Sequence, residues 1–106
     1  MAGCIFCKII KGEIQAEIEK ETEKLLVFKD LHPKAQVHLL IVPKIHIQDI
    51  RQVPEDIWIE IKEMAIELAK EKKLRGFRLV HNAGDSALVS HMHVHFLGEV
   101  SKEREV

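Results

Sequence analysis

The chain has 106 residues, 16 basic and 17 acidic, with a formal charge of −1 when histidine is neutral. Apolar residues make up 46%, enough for a packed core and too many for a disordered chain, and the length predicts a single domain over residues 1–106. The balanced charge argues against a protein that grips nucleic acid by its phosphates, and no stretch approaches the roughly 20 apolar residues of a membrane span.

The first ten residues, MAGCIFCKII, lack the basic region, apolar run and small-residue cleavage site of a secretory signal. A cytoplasmic, reducing compartment is therefore expected, and a structural disulfide between Cys4 and Cys7 is not. Residues 4–10 are short and apolar, and Gly12 is well placed to end a helical turn. Strand-like runs follow at 16–19 and 24–29, then a turn at Asp30-Leu31-His32-Pro33. Residues 36–42 are β-branched and apolar, and Pro43 closes them.

The clearest helix spans about Pro54 to Lys73. Glu55 and Asp56 fall in its first turn and Lys70, Lys72 and Lys73 in its last, matching the helix dipole. Ile57, Ile61, Met64, Ala65 and Leu68 recur at helical spacing, and Gly76 ends the segment. A strand at 77–82, a polar loop at 83–86 and a final strand at about 89–97 follow, and the charged tail after Gly98 shows no regular pattern. This order predicts an antiparallel α+β domain.

Composition singles out histidine: there are seven, three of them within His91-Met92-His93-Val94-His95. Histidine titrates near neutrality and ligates metals. Strict alternation is the strand period, so the three rings share one face while Met92, Val94 and Phe96 share the other. Alternate strand residues lie roughly 6.5–7 Å apart, so His91 and His95 are about 13 Å apart, too far to bind one metal together from a straight strand. Cys4-x-x-Cys7 reads as half a zinc site, a redox pair or two small buried hydrophobes. A zinc would need two more ligands, for which histidine is the obvious source. His38 lies inside an apolar strand, and His46 follows the proline break in a loop free to reach a metal.

Three ordered segments, CIFCKIIKGEI, VFKDLHPKAQVHLLIVPKIHI and HMHVHFL, together resemble the histidine triad family over nearly the whole chain. The match is closest to small members that bind purine nucleotides and hydrolyse nucleoside phosphoramidates. The resemblance implies a five-stranded antiparallel sheet with two helices, and a homodimer whose sheets join. It implies that His93 is the nucleophile forming a covalent nucleotidyl-histidine, that His95 contacts the phosphate or leaving group, and that His38 completes the relay. By the same resemblance Asp30 accepts from the ribose hydroxyls, Asn82 lies near the phosphate, and Phe6, Ile9, Phe28 and Leu31 surround the purine. A structural zinc would be held by Cys4, Cys7, His46 and His91, with no catalytic metal. A purine nucleotide or nucleoside phosphoramidate is the implied ligand, with neither nucleic acid nor membrane as partner. The other reading is a nucleotide-binding scaffold with little turnover.

One stretch departs from the family pattern. Where relatives carry Gly-Gln-Ser/Thr-Val before the triad, this chain has the shorter Ala83-Gly84-Asp85-Ser86-Ala87-Leu88-Val89-Ser90. Leu88 falls where the family hydroxyl is expected, and Ser86 and Ser90 are the nearest hydroxyls, neither in register.

Overall fold

A computed structural model describes residues 3–106. The N-terminal apolar run forms helix α1 (Ile5–Ile10), whose Cys4 cap accepts the Cys7 amide on its sulfur at 3.3 Å. Gly12, at φ +80°, ends it as expected, with the Gly12 and Glu13 amides donating to Ile9 and Lys8 carbonyls at 3.0 and 2.8 Å. Five strands follow: β1 (Ile18–Glu21), β2 (Leu25–Lys29), β3 (Val37–Pro43), β4 (Phe77–Val80) and β5 (Val94–Gly98). They form one antiparallel sheet in the order β1-β2-β3-β5-β4, with helix α2 (Glu55–Glu71) crossing between β3 and β4. The expected five-stranded α+β fold is the one observed.

Both faces of the central strands are apolar because each is covered by a helix. Leu25, Val27, Leu39, Ile41, Val94 and Phe96 pack with Met92 against the Ile57, Ile61, Met64, Ala65 and Leu68 stripe of α2. Leu26, Phe28, Leu40 and Val42 point the other way and meet Phe6 and Ile9 of α1. Strand alternation thus sorts β2 and β3 into two cores. Helix α1 is only six residues long, so it covers part of its face and leaves the remainder open beside His38, His93 and His95.

Several boundaries differ from the sequence expectation: β1 spans Ile18–Glu21 rather than 16–19, and β4 ends at Val80 rather than at residue 82. Helix α2 stops at Glu71, and Lys73, not Gly76, takes the left-handed conformation (φ 53°) that turns the chain away. The last strand starts at Val94 rather than near residue 89. Ile41 is the last β3 residue paired with β5, opposite Val94, and Pro43 beyond it has no N–H to extend the ladder. The Met92 amide turns instead to the Ile47 carbonyl at 2.8 Å. The tail after Gly98 has neither helix nor strand, yet it is tied down: Arg104 donates to the Lys34 carbonyl at 2.5 Å and accepts from Arg78 on its own carbonyl at 3.1 Å. No described helix is long and apolar enough to cross a membrane.

Candidate active site and metal centre

The three alternating histidines do share one face, and tertiary contacts divide them. His91 is fully buried and faces α1, while His93 and His95 face the open part of the sheet. His91 and His93 each have one nitrogen on a backbone carbonyl, which fixes the tautomer, and His95 takes its own from His38.

His93 Nδ1 lies 2.7 Å from the His91 carbonyl, which can only accept, so Nδ1 carries the proton and Nε2 keeps a lone pair. His38 Nδ1 accepts the Lys34 amide at 3.0 Å, which puts its proton on Nε2. That proton is directed to His95 Nδ1 at 2.9 Å, so neutral His95 carries its own on Nε2. Asp30 Oδ2 lies beside this pair, 3.4 Å from His38 and 3.9 Å from His95, while Oδ1 accepts the His32 amide at 2.8 Å. Burial pushes the pKa of His93, His95 and His38 below the ordinary histidine value, the dominant cause in each; Asp30 opposes it without reversing it. Neutral imidazoles at pH 7 are the result, one offering a lone pair and its neighbour an N–H.

His93 and His95 line a cavity of about 450 Å³, within the usual range for small-ligand sites; His38 lies outside it, bonded to His95. Phe6, Ile9 and Phe28 form its apolar floor, with Phe6 edge-on to Phe28 at 5.7 Å and to His93 at 4.9 Å between ring centres. Asp30 and Asn82 are also on its wall. Leu31 is 78% exposed, so it is a lip of the cavity rather than part of the floor. Leu40, on the wall, escaped the sequence reading because it looks like any core residue of β3. Of the two hydroxyls weighed for the shortened loop, Ser86 reaches this cavity, whereas Ser90 lines a separate cleft with Cys4 and His46. Leu88 is fully exposed at the rim.

The second cluster joins α1, the loop after β3 and the residue that leads into β5. His91 Nδ1 lies 3.3 Å from Cys4 Sγ, 3.6 Å from Cys7 Sγ and 3.2 Å from His46 Nδ1, and Cys7 Sγ lies 3.2 Å from His46 Nδ1. Edges of a tetrahedron with Zn–N and Zn–S bonds are roughly 3.3–3.8 Å, so the four donors are spaced to share one ion. His91 Nε2 donates to the Pro43 carbonyl at 2.8 Å, freeing Nδ1 for a metal in the manner of most metal-bound histidines. Burial, reinforced by the neighbouring Cys4, pushes the Cys7 thiol pKa up, so a metal would have to displace its proton.

Asp30, His38 and His95 are also close enough to hold an ion, but the Lys34 amide on His38 Nδ1 leaves a proton on the Nε2 that would have to bind it. Two side-chain groups were invisible to the sequence. Buried Asp49 accepts both the Arg51 guanidinium, at 2.9 and 2.6 Å, and the Gly84 amide at 3.1 Å, pinning the loop at the cavity wall. The Arg51 guanidinium holds the Asp49 carboxyl far below the usual carboxylate range. His81 bonds both the His93 carbonyl and the Ile50 amide.

A five-stranded antiparallel sheet with two helices and histidines grouped at its open end places the chain among small α+β domains. The family profile described as "Scavenger mRNA decapping enzyme C-term binding" matches residues 3–105. The adenosine 5'-monophosphoramidase of Candida albicans is 38% identical, over 91% of this chain and 70% of that one. A 14 kDa zinc-binding protein of Zea mays is 39% identical, over 89% and 80%. A solved histidine triad protein from Clostridium difficile superposes with a TM-score of 0.92 at 35% identity, covering 100% of this chain and 98% of that one. This chain belongs to the histidine triad family.

Proposed function

We propose that the protein, acting as one domain over residues 1–106, hydrolyses purine nucleoside phosphoramidates or related nucleoside monophosphate esters through a covalent nucleotidyl-histidine. The observation that carries the reading is the His93 bond to the His91 carbonyl, which leaves an unprotonated Nε2 on the cavity wall. In the first step His93 Nε2 attacks the α-phosphorus, the phosphorus–nitrogen bond of the substrate breaks, and the departing nitrogen, held by the His95 Nε2–H, takes a proton from water. In the second, the hydroxide left behind attacks phosphorus, the bond to His93 breaks, and a nucleoside monophosphate leaves. His38 keeps His95 in the donating tautomer throughout. Splitting one displacement into two lowers each barrier.

In this reading Asp30 accepts from the ribose hydroxyls, Asn82 lies beside the phosphate, and the purine rests against Phe6, Ile9 and Phe28 with Leu31 at the lip. The phosphoramidase activity of the Candida relative supports this substrate class. Cys4, Cys7, His46 and His91 hold a structural zinc, whose chemistry is to fill four tetrahedral positions with protein donors; the zinc-binding Zea relative supports the choice of metal. We take the compartment to be the cytoplasm and the working form to be a homodimer. Edge strand β4, with Phe77 and Leu79 exposed and Leu79 beside Trp58 of α2, supports joining to a second copy. Light scattering should then return twice the 12.2 kDa chain mass, and the single-chain mass for Leu79→Lys.

The test is His93→Ala with adenosine 5'-phosphoramidate. Turnover should fall at least roughly a thousandfold, as when other nucleophiles are removed, while calorimetry still detects AMP. Undiminished turnover overturns the reading. A binding protein with little catalysis is favoured by the shortened loop, where the exposed Leu88 stands in place of a hydroxyl. AMP binding by the intact protein without measurable turnover would decide for it.

A further inference from the structure

His81 belongs to neither cluster, yet it is bonded to the backbone of His93. It follows Val80, the last residue of β4, which pairs with His95. Continuing the ladder would set residue 82 opposite His93, but the chain leaves the sheet at His81 and the His93 carbonyl loses its strand partner. A buried carbonyl without a donor is costly. The His81 ring supplies the donor, Nδ1 lying 2.9 Å from the His93 oxygen. Its other nitrogen, Nε2, accepts the Ile50 amide at 3.1 Å. A carbonyl only accepts and an amide only donates, so both bonds require the neutral Nδ1–H ring.

The same connecting loop bonds the residue before His93, through the Ile47 carbonyl and Met92 amide at 2.8 Å, and carries Asp49, which holds the Gly84 amide. With no ladder on either side, His93 takes its backbone direction from these bonds. We propose that His81 is a positioning residue for His93: it clamps the His93 carbonyl to the 47–51 loop and so aims the His93 ring at the substrate phosphorus. This rests on the reading of His93 as nucleophile.

Three substitutions separate aim from packing. His81→Val keeps apolar bulk against Trp58, Ile61, Leu79 and Val94 but has no donor. In His81→Asn the amide nitrogen falls near the position of Nδ1 and can still donate to His93, whereas in His81→Gln the amide falls near Nε2 and reaches Ile50 instead.

The readout is the single-turnover rate of His93 nucleotidylation by adenosine 5'-phosphoramidate in the full-length, metal-loaded protein, followed by mass spectrometry, alongside the AMP dissociation constant. His81→Val should slow nucleotidylation about 10- to 100-fold, the scale set by small misplacements of a reacting group, with AMP affinity within about twofold. His81→Asn should recover most of the rate and His81→Gln little. Wild-type rate in His81→Val, or equal rescue by Asn and Gln, overturns the proposal. An active His93→Ala overturns the nucleophile reading and this inference with it, whereas an inactive His93→Ala beside a full-rate His81→Val overturns this inference alone. Ring nitrogen NMR gives a readout free of substrate: His93 should be a single Nδ1–H tautomer in the parent and mixed in His81→Val. An unchanged His93 ring spectrum also overturns it.

Discussion

At the scale of single residues, backbone groups set the chemistry by choosing tautomers. The carbonyls of His91 and Pro43 accept hydrogen bonds from His93 Nδ1 and His91 Nε2, and His38 Nδ1 accepts the Lys34 amide. Burial then keeps these rings neutral, and that has a measurable consequence at His38 and His95. Their folded pKa values lie below the unfolded value near 6.5, so as pH falls the unfolded chain takes up protons first. Their contribution to stability is complete above about pH 7 and is lost as pH falls through about 6.5 and below. Thermal melts stepped from pH 7.5 to 5.5 should show a falling midpoint, with a shallower slope in His38→Asn; a flat profile contradicts the assignment. Asp49→Asn should loosen the bonds to Arg51 and Gly84, seen as faster amide exchange at residues 49–51 and 84–86 with the sheet unchanged.

At the scale of elements, close approach matters more than propensity. A Cβ on Gly98 would lie 2.8 Å from Val37 Cβ, its cross-strand partner, and 2.9 Å from Leu74 Cδ1. Gly98→Ala should therefore cost about 1–3 kcal/mol and lower the melting midpoint by several degrees. Gly12 has no atom within 4 Å of such a Cβ but sits at φ +80°, so Gly12→Ala should cost about 1 kcal/mol from conformation alone. Comparing the two melting shifts checks the distinction. Most elements were legible from pattern, because the apolar runs of β2 and β3 and the Ile57–Leu68 stripe depend on neighbours a few residues away. Element ends were less legible: β5 starts late because the chain past Ile41 of the neighbouring strand no longer pairs, and α2 ends where left-handed Lys73 lets the Lys73 and Leu74 amides close on the Lys70 and Ala69 carbonyls.

At the scale of the whole molecule, the four-donor cluster connects three segments far apart in the chain, with Cys4 and His91 separated by 87 positions. A metal there would hold α1 against the sheet, and α1 supplies Phe6 and Ile9 to the cavity. Elemental analysis should find one zinc per chain; chelation, or Cys4→Ser with Cys7→Ser, should lower the melting midpoint and weaken AMP binding together. Metal-free protein of undiminished stability would contradict this.

The sequence by itself determined the element order and the sorting of His91, His93 and His95 to one face, because each depends on residue type and short-range period. Only the tertiary structure decided how the shared face is divided. Where β3 stops pairing and where α1 docks turn His91 toward the cysteines and leave His93 and His95 in the cavity. The roles of His81, Asp49 and the tail's Arg104 likewise come from partners 12 to 70 positions distant, beyond the reach of any local pattern.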